Sequence, residues 1–124
     1  MNEWYRRQLK DAIPSLIAGW APVLAVSEPA WAVRRMKTKW GACKPDQAKI
    51  WLNLELAKKP PECLEYTVVH EMVHLLERNH TERFYDLMNR FMPHWRLHRE
   101  VLNAAPLARE DWPGAPSSTS VAAA

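Results

Sequence analysis

Apolar residues recur every three to four positions at the start of this chain, every second position in its middle, and almost continuously after residue 62. The opening segment NEWYRRQLKDAIPSLIAGWAP places Trp4, Leu9, Ile13, Leu16 and Ile17 near helical spacing, with Arg6, Arg7, Lys10 and Asp11 between them. That spacing predicts an amphipathic helix, kinked or restarted at Pro14 and bounded by Pro22. From Trp31 the period shortens. In KIWLNLEL, Ile50, Leu52, Leu54 and Leu56 fall on one face and Trp51, Asn53 and Glu55 on the other, the pattern of a half-buried strand. KPDQ carries turn chemistry. Residues 31–56 are therefore expected to form a hairpin or small antiparallel sheet.

A second helix is expected over 62–77, with Pro61 suited to its first turn and Glu62 and Glu65 to its positive end. Leu64, Tyr66, Val68, Val69, Met72, Val73, Leu75 and Leu76 make it apolar nearly all round, which predicts burial. RNHT then reads as a break, with Asn79 suited to a left-handed C-cap and Thr81 to capping the next helix. Phe84, Leu87, Met88 and Phe91 form that helix's apolar stripe, Pro93 ends it, and a further helix is expected over about 94–104. Residues 113–124 are small, polar and proline-bearing, as in a disordered tail.

At 124 residues this is one domain, read here as 1–112, with the 48% hydrophobic and 25% charged content of a globular protein. The seven tryptophans fit core and rim packing. The net charge of +3 is uneven: eleven Lys/Arg face five Asp/Glu through residue 61, and six face nine beyond it. A basic first half, including Arg34, Arg35, Lys37 and Lys39, suits nucleic acid or an acidic substrate, although a solvated face explains it more simply. Cys43 and Cys63 are too few and too far apart for a disulfide scaffold or a thiolate zinc site. Free thiols, with no membrane-span run and no signal-peptide layout, give the expectation of a soluble, cytoplasmic protein.

The sharpest chemistry lies in VVHEMVHLLERNH, residues 68–80. On a helix His70 and His74 stand one turn apart on one face and can aim at a single metal ion. Glu71 lies beside them. This is the H-E-x-x-H arrangement, in which two histidines hold zinc and the glutamate is general base to a zinc-activated water. Burying two imidazoles and a carboxylate on an apolar segment without a function would be costly. A catalytic zinc takes three protein ligands and keeps a fourth position open. His80 is the preferred third ligand, because a short turn can return it to the metal. The same ten-residue offset occurs in metzincin-type sites, where glycine stands in the position of Glu77. Asp86, Glu100, His94 and His98 compete for the role. Tyr66, Tyr85, His94 and His98 are candidates for oxyanion stabilisation, and IWLNLEL is a candidate edge strand for binding an extended peptide.

The stretches MKTKWGAC, IWLNLELAKKPPECLEYTVVHEMVHLLERNH and RFYDLMNRFMPHWRLHREVLN resemble the YgjP-like metallopeptidase family, related to SprT-like zinc proteases. The resemblance implies an α+β, zincin-like fold: an N-terminal helix, a small antiparallel sheet, a buried HExxH helix and two C-terminal helices. It implies one Zn2+ per chain on His70, His74 and His80, with Glu71 catalytic. The family commonly carries a further β-rich N-terminal region, whereas this chain opens on a helix. The family's W-G-S-C reads W-G-A-C, with Ala42.

The expected function is a zinc-dependent metallopeptidase acting on a peptide or protein substrate. One alternative is a metal-dependent hydrolase of a non-peptide bond, such as a nucleotide phosphoanhydride, using the same site. Another is a non-enzymatic zinc-stabilised interaction module, against which Glu71 argues, since a structural site needs no base. No separate nucleic-acid-binding module is visible, and the sequence leaves the oligomeric state open.

Overall fold

The computed structural model describes residues 2–104, so the expected tail over 113–124 and the end of the expected domain at 112 lie outside the described residues. The order is α1 (Asn2–Leu24), β1 (Ala30–Arg34), β2 (Gly41–Lys44), β3 (Lys49–Asn53), α2 (Pro61–Val73), α3 (Glu82–Phe91) and α4 (Trp95–Ala104). Short 3-10 turns follow β2 and β3. The fold is α+β, as expected. No described helix is long and apolar enough to cross a membrane.

Helix α1 runs through both prolines. Pro14 and Lys10 are exposed, so the carbonyl freed by the missing Pro14 N–H faces solvent. The opposite stripe of Leu9, Ile13, Ile17, Ala21 and Leu24 is buried. The helix ends on Ala25 in the left-handed region (φ 61°), with Val26 N–H donating to Ala21 O and Ala25 N–H to Pro22 O. Those two bonds make a Schellman closure without its usual glycine. Trp20 Nε1 donates to Glu65 Oε2 at 2.9 Å, tying α1 to α2.

The sheet differs from the antiparallel one expected. Its order is β1-β3-β2, with β3 parallel to β1 and antiparallel to β2. KIWLNLEL is thus the central strand rather than an edge, and β2 is one of the edges. The strand also stops at Asn53, although the alternation runs on to Leu56. The Asn53 side chain accepts the Glu55 N–H and turns the chain into a 3-10 segment that still buries Leu54 and Leu56.

Asn53 explains the strand order as well. It is fully buried, and its Nδ2 donates to Met36 O at 2.9 Å and to Lys39 O at 2.7 Å. Its own N–H donates to Trp40 O. The loop after β1 is thereby gathered against the end of β3, which delivers β2 to the far side of that strand. Trp40 and Trp95 are buried, Trp20, Trp31 and Trp51 half-buried, and Trp4 exposed.

Asn53→Ala would strand two carbonyls and an N–H that one side chain now satisfies. It is expected to destabilise the protein by about 3 kcal/mol, read as a lower midpoint in urea denaturation with an unchanged m-value.

Candidate metal centre

Burial over α2 is nearly complete from Cys63 to Val73, and only Glu65 among these residues is half-exposed. His70 and His74 are each 2% exposed and Glu71 is 0% exposed. The α-helix ends at Val73 with His74 as C-cap, earlier than expected. Bonds from Leu75, Leu76 and Glu77 N–H to Met72 and Val73 carbonyls tighten the following turn. Arg83 donates to Leu76 O and to Glu77 Oε1, and Arg78 pairs with Asp46 beside β3. Thr81 then caps α3 by accepting the Phe84 N–H. Asn79 does not take the expected left-handed conformation: among the described residues only Ala25 and Ala48 do. For the same reason this turn has no need of a glycine where Glu77 stands.

The turn carries His80 back to the helix. Ring centroids lie 5.0 Å apart for His70 and His74, 4.7 Å for His74 and His80, and 5.5 Å for His70 and His80. A ring nitrogen of each lies within 4.8 Å of the other two, and the group could hold a metal ion. Among the described residues, Nε2 of all three is buried without a hydrogen-bond partner, as are both Glu71 carboxylate oxygens. Asp86, Glu100 and His94 are exposed and join no such group among the described residues, and neither does half-buried His98.

Other contacts set the state of these rings. His74 Nδ1 lies 3.1 Å from Glu77 O. A carbonyl only accepts, so Nδ1 carries the proton and Nε2 is bare in the neutral ring. Burial holds the pKa of His70 well below the usual 6.5, lowers His74 to about 4, and lowers His80. Phe84, fully buried at the first turn of α3, touches all three rings with centroids 5.0, 4.5 and 4.9 Å away.

Glu71 meets β2. A Cβ added at Gly41 would stand 2.9 Å from Glu71 Oε2 and 2.9 Å from Thr67 Cγ2. Only a residue without a side chain lets the strand lie this close to the carboxylate. Burial pushes the Glu71 pKa well above the carboxylate range, against a smaller opposing pull from Lys39. Cys43, two residues along the same strand, is pushed up to about 12 by burial and by Glu71, which keeps it a neutral thiol.

Of the oxyanion candidates, Tyr66 points elsewhere. Its hydroxyl lies 3.5 Å from His70 Nδ1, on the side of the ring away from Nε2. Tyr85 stacks on His80 with centroids 6.2 Å apart, and His94 is exposed. Sequence reasoning missed Gly41 and Phe84 as parts of the site. A glycine inside a strand pattern was the available signal for the first. Phe84 gave none, since it reads as one more member of an apolar stripe.

Gly41→Ala is expected to force β2 and the Glu71 side chain apart and to cost about 1–3 kcal/mol, measured by thermal or urea denaturation; a stability equal to that of the parent would contradict the tight contact.

Comparisons with known proteins bear on the family and the fold. The YgjP-like metallopeptidase domain matches residues 1–105. The metallopeptidase zymogen abylysin of Pyrococcus abyssi has a similar fold, with a TM-score of 0.65 and 17% identity over 71% of this chain and 89% of that one. So does the metallopeptidase zymogen jannalysin of Methanocaldococcus jannaschii, with a TM-score of 0.58 and 18% identity over 68% and 90%. No curated protein sequence matches significantly. With the match spanning every described element, the chain belongs to the YgjP-like metallopeptidase family.

Proposed function

We propose that this protein is a zinc-dependent metallopeptidase in which His70, His74 and His80 hold one zinc ion and Glu71 is the general base. The observation that carries the reading is the convergence of three imidazoles whose buried Nε2 atoms have no partner among the described residues, beside a carboxylate that also has none. Lone pairs gathered and buried in this way repel one another, so they fit a cation. An all-imidazole donor set suits zinc among the common metals, and three protein ligands match catalytic rather than structural sites.

Bound there, zinc supplies Lewis acidity that polarises a peptide carbonyl and acidifies water. The remaining chemistry belongs to the chain. Glu71 takes a proton from the attacking water and passes it to the departing amine. Its burial suits that task, because a carboxylate that readily holds a proton can also deliver it. Gly41 keeps that carboxylate pressed against β2, and the outer side of β2, an edge of the sheet among the described residues, offers backbone groups to an extended peptide. The depressed histidine pKa values keep the ligands neutral, so protons compete weakly with the metal near pH 7.

Metal analysis of the purified protein is expected to find about one zinc per chain, and none in His70→Ala. Glu71→Gln should keep the metal and lose roughly 10³-fold in peptide hydrolysis. The assay sets a casein-type substrate beside nucleoside triphosphates; turnover of the latter alone would overturn the peptidase reading.

The metal-free protein should lose stability as pH falls from about 6.5 toward 4. Over that range unfolded histidines bind protons that the folded ones refuse, with His74 alone worth on the order of 3 kcal/mol. Glu71 acts with the opposite sign: burial raises its folded pKa, so its contribution is present below about pH 4.5 and is lost as pH rises. Urea denaturation across pH 4–9, with and without chelator, measures this directly.

A further inference from the structure

We propose that Tyr66 is a positioning residue for the metal centre. Its hydroxyl accepts the Nδ1–H of His70 and holds that ring with Nε2 bare, facing His74 and His80. This rests on the reading that the three histidines bind a metal.

The two helical histidines differ in what surrounds their Nδ1 atoms. His74, at the helix end, finds the free carbonyl of Glu77. His70 lies in the helix interior, where neighbouring carbonyls are engaged in the helix's own ladder, so its Nδ1 needs a side chain. The residue one turn earlier on the same face is Tyr66, with its hydroxyl 3.5 Å away. A phenylalanine would fill the same volume, so packing does not explain the hydroxyl. If Tyr66 donated instead, His70 would carry its hydrogen on Nε2 and could not offer that atom to a metal.

The tyrosine is itself fixed. It is 0% exposed and lies parallel to Trp95, with centroids 6.5 Å apart and planes 6° apart. Trp95 comes from α4, donates its indole N–H to Asn89 Oδ1 at 2.9 Å, and lies under the guanidinium groups of Arg96 and Arg99. The start of α4 therefore reaches His70 through one aromatic stack and one hydroxyl. Outer partners of this kind raise ligand basicity and fix ring orientation.

The test is Tyr66→Phe, titrated with zinc in competition with a chromophoric chelator. Affinity is expected to fall about 10–100-fold, with a changed visible spectrum for the cobalt-loaded protein. The thermal midpoint of the metal-free protein should stay within a few degrees of the parent, since the ring packing is kept. Affinity equal to the parent's would overturn the proposal. A parent protein that takes up no metal would overturn the metal-centre reading itself, which is a different result. Nitrogen-15 imidazole spectra of the metal-free parent test the same point without a variant: His70 should carry its proton on Nδ1, as His74 must, and a proton on Nε2 would sink the idea.

Discussion

Three imidazole nitrogens and a carboxylate are held out of water with nothing from the described chain to satisfy them. Each such atom costs roughly 1–3 kcal/mol when left so, and a domain of this size has only about 5–15 kcal/mol to spare. The surrounding structure keeps them there nonetheless. Helix α2 is apolar on every side and cannot rotate its polar residues to the surface without exposing Val68, Val69, Met72 and Val73. Phe84 fills the space beside all three rings, and Gly41 removes the room into which Glu71 might retreat. The cost of this burial is a constraint that a bound cation relieves, and it accounts for most of the local sequence choices.

The supports fall into two kinds. Packing holds the rings: Phe84 stacks on His74 with planes 25° apart and meets the other two edge-on. Hydrogen bonds and ion pairs hold the backbone that carries them. Arg83 grips the turn at Leu76 and Glu77, Thr81 starts α3, and Asn53 gathers the loop that ends at Trp40 and Gly41. The first kind excludes water from the donors. The second brings residues from the sheet and the third helix to the same place.

The sequence made the helices and the histidine geometry legible because both depend on spacings of three, four and ten residues. His80 could be preferred over more distant carboxylates for the same local reason. The sheet order was not legible. Alternation in KIWLNLEL reports that one face is buried and says nothing of which strands lie on either side, and a parallel partner such as β1 leaves no hairpin signature. Asn53 looked like a residue on the outer face of a strand, whereas it is the buried amide that ends one. Pro14 and Pro22 look like interruptions in the sequence, yet α1 passes through both, because tertiary packing of its apolar stripe outweighs the two exposed carbonyls, of Lys10 and Ala18, that lose their helical N–H.

The contact between Gly41 and Glu71 spans thirty positions of chain, whereas the three histidines occupy eleven consecutive ones. The donor set is therefore local and the setting of the acid is not. A partly folded chain that had formed only α2 and the turn after it would already gather the three imidazoles. Its glutamate would still face water until β2 packed against it. The gathering of the nitrogens is thus set by local structure, and the burial of the glutamate by long-range packing of the sheet on the helix.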